Sequence, residues 1–266
     1  MNEVITPLGP EVPEVPLDRA PLAKVIVQVS FPVIASITTQ EFIAPFQELI
    51  RARYPIASKE MQAGILLTPE KAISHEGGAV WRFKDKGGKS QVSLSPTFLA
   101  FDTDAYLSRA QFLDDFRVAA EALANTVRPV TFERLGVRYV DRVADPDSVP
   151  LAELIKPEVL GHCKVELGDS GARLEYGITD TMVIVDDRHL HARWGILPGG
   201  QTLDPFVEPI SEKSWILDLD MFSSNGGRDF DATRLVALAE EYSKSIYRFF
   251  RWAVTDDFLR YFGGTV

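Results

Sequence analysis

Apolar and polar residues alternate along several stretches of the chain, and the longest clear case lies near its midpoint. In Phe132–Val143, FERLGVRYVDRV, the odd positions Leu135, Val137, Tyr139 and Val143 are apolar, while Arg134, Arg138 and Arg142 occupy the even ones. A period of two is the mark of a half-buried strand, with the arginines on its polar face. Lys24–Phe31 alternates the same way, with Val25, Val27, Val29 and Phe31 inward. A capping-box pattern, Thr38-x-x-Glu41, predicts a helix carrying Phe42, Phe46 and Leu49 on one face. Short strands are expected at Ala63–Leu67, Ala79–Lys84, Gln91–Leu94 and Thr97–Phe101, separated by Gly77-Gly78 and Gly87-Gly88 as hairpin turns. His75-Glu76 reads as part of the first of these turns. Ser108-x-x-Gln111 caps a second helix with Phe112, Phe116, Ala119 and Leu123 at helical spacing.

The second half runs in the same order. A short helix is expected near Pro150–Val159, then strands at His162–Leu167, Ala172–Ile178, Thr181–Val185, His189–Ile196 and Ser214–Phe222. Asp231 is the expected N-cap of a long helix with Leu235, Leu238, Tyr242, Ile246 and Phe249 inward, and Thr255 caps a last turn. An offset of 123 sets Leu94 against Leu217, Phe112 against Leu235 and Leu123 against Ile246. These patterns predict an α+β fold: a duplicated strand–helix–four strands–helix unit, forming one long curved antiparallel sheet with helices on one face. The expected divisions are an arm at 1–21, a first repeat at 22–130 and a second at 131–266. At the level of architecture this order is similar to the saddle of the TATA-box-binding proteins, a likeness that carries no function. The arm holds Pro7, Pro10, Pro13, Pro16 and Pro21. It reads either as a disordered tail or as an extended, polyproline-like strap anchored by Val12, Val15 and Leu17.

Composition narrows the function only by exclusion. A net charge of −10 and a pI near 5.0 argue against non-specific binding to nucleic acid or an anionic membrane. No apolar run approaches the ~18–20 residues a membrane-spanning helix needs. The lone Cys163 excludes an internal disulfide, and no secretory pattern opens the chain, so a cytoplasmic setting is expected. No phosphate-binding loop and no GxSxG motif is present.

The candidate chemistry sits on the polar sheet face. It would collect Arg134, Arg138 and Arg142 from the midpoint strand, His189, His191 and Arg193 from a later one, and Asp218 with Asp220 from the last. Arg138 is expected to pair with a carboxylate of that last strand, because three unpaired guanidinium groups in a row repel one another. The face suits a protein partner or an anionic ligand, with no cofactor and no metal expected; self-association into a homo-oligomer stays open. The rival reading is a hydrolase or nuclease with His191 as base and Asp218 or Asp220 as its orienter.

PLAKVIVQVSFP, LSPTFLAFDTDAYLSRAQFLDDF, ERLGVRYVDRV, LDLD and FFRWAVTDDFLRYF together resemble a sporadically distributed, uncharacterised family of bacterial proteins of about this chain's length. Its RxGxRYxxR core corresponds to Arg134, Gly136, Arg138, Tyr139 and Arg142. Gln28, Ser30 and Asp141 depart from its usual Glu, Arg and Asn. The resemblance implies no activity; the family's patchy distribution implies a mobile or defence-linked context.

Overall fold

A computed structural model describes residues 6–67, 72–161, 168, 171–172, 174–203, 207–224 and 226–266, with side chains at 62–77 outside that description. Eleven strands and six α-helices are described. Nine of the strands hydrogen-bond into one antiparallel sheet in the order β2-β3-β4-β5-β1-β7-β10-β9-β8. They are β1 (Leu22–Ser30), β2 (Ile56–Leu67), β3 (Ala72–Lys84), β4 (Ser90–Ser95), β5 (Phe98–Thr103), β7 (Arg134–Ala144), β8 (Gly177–Val185), β9 (Arg188–Leu197) and β10 (Ser214–Ser223). The short strands β6 (Thr131–Phe132) and β11 (Arg228–Asp229) pair separately. The fold is therefore α+β, as the alternation predicts. Two compact units divide the chain: Met1–Val25 with Arg138–Phe222 and Glu241–Val266, and Ile26–Val137 with Ser223–Glu240. The division falls inside β1 and β7.

In the second of these units, α1 (Gln40–Ile50) and α2 (Arg109–Thr126) cover one sheet face. Phe83, Val92 and Phe101 lie in one cross-strand row and are buried, with Phe46 of α1 against Phe83 and Phe112 of α2 against Phe101. The Thr38-x-x-Glu41 box is not formed. Thr38 ends a 3₁₀ turn, its hydroxyl donating to the Ala35 carbonyl, and α1 starts after Thr39 with no side-chain cap. The buried stripe is accordingly Ile43, Phe46 and Ile50, leaving Phe42 at 36% and Leu49 at 53% exposure. Gly77-Gly78 is not a turn either. The register of β2 on β3 jumps between Met61 opposite Ala79 and Ala63 opposite Glu76, so the two glycines form a bulge within β3, and His75-Glu76 is strand. Gly87-Gly88 does turn the chain, with the Asp85 carboxylate accepting from the Lys89 and Ser90 amides. Ser108 caps α2 as expected, accepting from the Gln111 amide.

In the first unit, α3 (Leu151–Leu154) and α4 (Pro157–Leu160) stand where one short helix was expected. Residues 162–167, and with them Cys163, lie outside the described residues. In place of the two strands expected at Ala172–Ile178 and Thr181–Val185 stands one, Gly177–Val185. Leu190, Ala192, Trp194, Leu217, Leu219 and Met221 form the apolar sheet face, and α5 (Ala232–Ala253) packs on it through Phe249 against Trp194. Asp231 caps α5 through the Arg234 amide, and Thr255 caps α6 (Asp256–Tyr261) through the Phe258 amide. No described helix is long and apolar enough to cross a membrane.

Candidate functional site

The first unit's sheet face away from α5 is set by register. Strand pairing puts Asp180, Arg193 and Asp218 in one row, Met182, His191 and Asp220 in the next, and Ile184, His189 and Phe222 in a third. These residues share one parity because side chains alternate across a strand.

The first row is an ionic centre. Arg138 donates through Nε to Asp218 Oδ1 and through Nη2 to Asp218 Oδ2, both at 2.7 Å, and Arg193 Nη2 donates to Oδ2 at 2.5 Å. The Asp218 side chain is 2% exposed, against 13% for Arg138 and 19% for Arg193. The expected pairing of Arg138 with the Ser214–Phe222 strand is thus present, and it is buried. A fork-on-carboxylate bond of this kind fixes geometry as well as charge. Removing one partner of such a pair leaves an uncompensated buried charge.

The second row is more exposed. His191 Nε2 lies 2.7 Å from Asp180 Oδ1, so the imidazole takes its partner from β8, and neither Asp218 nor Asp220 orients it through that bond. His189 stacks on Phe222, ring centroids 5.2 Å apart, and its Nδ1 has no partner among the described residues. Met182 and Ile184 are 51% and 70% exposed on the same face.

Arg142 Nη1 donates to the Glu208 carbonyl at 2.6 Å, and burial pulls its pKa below the usual arginine value. The Arg134 guanidinium lies beside Gly136, where an added Cβ would meet its Nη1 at 2.6 Å. Among the described residues, no three His, Cys, Asp or Glu side chains gather into a metal-holding group.

Two residues escaped the sequence reading. Asp180 lies just outside the strand expected from Thr181, although its alternation with Met182 and Ile184 could have placed it. Asp141 has the parity of Leu135, Val137 and Val143 and is buried with them. Burial, and secondarily the negative charge of Asp218, push its carboxyl up to about 8, so it keeps its proton at neutral pH. An acid at an apolar parity position was the available signal. Compared with family models and with curated proteins, the chain matches none.

Proposed function

We propose that this protein is a non-enzymatic interaction module whose β8–β9 face receives a protein partner. The observation that carries the reading is how Asp218 is used. The Asp218 carboxylate is bound at both oxygens by Arg138 and again by Arg193, and His191 lies against Asp180 instead. A carboxylate committed in this way supports a structural role for Asp218 over a role as the orienter of His191. Arg138 and Arg193 are already committed to Asp218, which favours a protein partner over an anionic ligand. What the face offers outward is Met182 and Ile184 beside the His189–Phe222 stack, with Asp180 at the rim. Apolar side chains rimmed by polar ones are the usual composition of a protein contact surface.

The test compares wild type with Met182→Asp, Ile184→Asp protein in capture from native extract, with thermal unfolding as the fold control. The reading predicts a partner retained by wild type and lost in the variant at unchanged unfolding temperature. Identical capture by the two proteins contradicts it. Turnover of a phosphoester or peptide substrate that disappears in His191→Ala would instead establish the enzymatic alternative.

A further inference from the structure

From Gly9 on, the N-terminal arm lies on the C-terminal helices of its own unit, and the manner of its binding has a period. Residues Pro10–Pro16 read Pro-Glu-Val-Pro-Glu-Val-Pro, a triplet repeat. A polyproline II helix has three residues per turn, so such a repeat places valine, glutamate and proline on three separate edges. Burial follows that division: Val12 and Val15 are half-buried, whereas Glu11, Pro13, Glu14 and Pro16 are exposed.

The surface that holds the arm reads its backbone. The Tyr247 hydroxyl accepts from the Val15 amide at 2.7 Å and donates to the Pro13 carbonyl at 3.3 Å. Arg248 Nη1 donates to the Gly9 carbonyl at 3.0 Å, and Lys244 lies 3.5 Å from the Glu11 carboxylate. Lys244, Tyr247 and Arg248 stand at helical spacing, so α5 presents them on one face. Beyond the triplets, Leu17 and Val15 fill the space beside Gly264, where a Cβ would meet them at 2.8 and 2.9 Å. A phenol that satisfies an amide and a carbonyl of an extended chain, flanked by basic groups, recognises backbone shape and acidity more than side-chain identity.

We infer that Lys244, Tyr247, Arg248 and the Gly264 shelf form a recognition site for an acidic, proline-rich segment in polyproline II conformation. The chain's own arm is the resident occupant, and an equivalent segment of a partner protein takes its place by displacing it. The occupant's chemistry follows from the arm: valine at every third position, acidic residues matched to Lys244, and prolines on the solvent edge. This inference concerns a different surface from the β8–β9 face and stands without the proposal made for that face.

The test uses the full-length chain and a fluorescent peptide spanning Thr6–Leu17, followed by anisotropy. Tethering gives the arm a high local concentration, so wild type binds the peptide weakly. Replacing Val12 and Val15 of the tethered arm with serine weakens the competitor without touching the receptor surface, and peptide affinity should rise about tenfold or more. Adding Tyr247→Phe should take back several-fold of that gain, and a peptide with Pro10, Pro13 and Pro16 replaced by alanine should bind several-fold less. No peptide binding by the valine-to-serine protein, or equal binding of the alanine peptide, overturns the inference. So does a concentration-dependent wild-type dimer that the peptide dissociates, which would make a second copy's arm the natural occupant.

Discussion

Two arginines, one in each unit, sit on sheet strands and reach across to neighbouring strands, yet their surroundings differ. In one unit, Arg138 grips Asp218, a carboxylate almost wholly removed from water and shared with Arg193. In the other, Arg82 is just as buried at 12% exposure, but its carboxylate, Glu60, is 51% exposed, and its second bond goes to the neutral Ser93 hydroxyl. Similar donors thus lead to different energetics. A carboxylate in water keeps its solvation when its partner is lost; a buried one does not. The lesson is that the acceptor's burial, more than the arginine's, decides whether such a pair is a structural anchor.

The largest expected effect is on the Asp218 side. Asp218→Ala leaves Arg138 and Arg193 facing each other without their shared acceptor and should lower unfolding free energy by roughly 3–5 kcal/mol. Chemical denaturation measures it, and a loss below about 1 kcal/mol would erase the contrast with Arg82. Next comes Asp141. Its folded-state pKa lies above its unfolded value, so the unfolded chain releases this proton first and the folded state is penalised as pH rises from 3.8 to about 8. Asp141→Asn should therefore stabilise the protein at pH 8 by on the order of 2–4 kcal/mol and make little difference near pH 3.5. Unfolding curves at the two pH values check the sign; a variant gain that is independent of pH speaks against a buried neutral carboxyl. Arg82→Ala should cost about 1 kcal/mol, since Glu60 stays in water and the Ser93 hydroxyl keeps its bond from the Gln91 side-chain amide. The smallest effect is expected for His191→Ala, whose exposed partner limits the loss to about 1 kcal/mol.

The strands and the two long helices were legible because their periods are long and uninterrupted. Val25, Val27 and Val29 could only face one way, and Ser108 and Asp231 cap their helices through local geometry that a sequence displays. Local signals failed where tertiary packing overrode them. A strand partner turned Gly77-Gly78 into a bulge, and a 3₁₀ turn over Ala35–Thr38 took the place of the expected cap, with Ile43 and Ile50 buried beside Phe46 where Phe42 and Leu49 were expected. For the site, parity correctly put Arg138, Arg193 and Asp218 on one face, and the charge imbalance correctly demanded a carboxylate for Arg138. The sequence could not supply depth. It could not tell that Asp218 is buried and Asp180 exposed, that Asp180 takes His191, or that Glu208 offers Arg142 a backbone carbonyl, because strand pairing and a distant loop settle these. The arm was legible as polyproline-like, while its seat on Tyr247 and Arg248 depends on contacts more than 230 residues apart.

Arg138 and Arg193 make Asp218 a structural anchor of its sheet. The measurement that addresses it most directly is a double-mutant cycle on unfolding free energy with Arg138→Ala, Asp218→Ala and the pair. The account predicts strong coupling, about 2 kcal/mol or more, with the double variant losing clearly less than the sum of the single ones. Additive losses, with coupling inside about 0.5 kcal/mol, would mean the two side chains do not hold each other, and would contradict it.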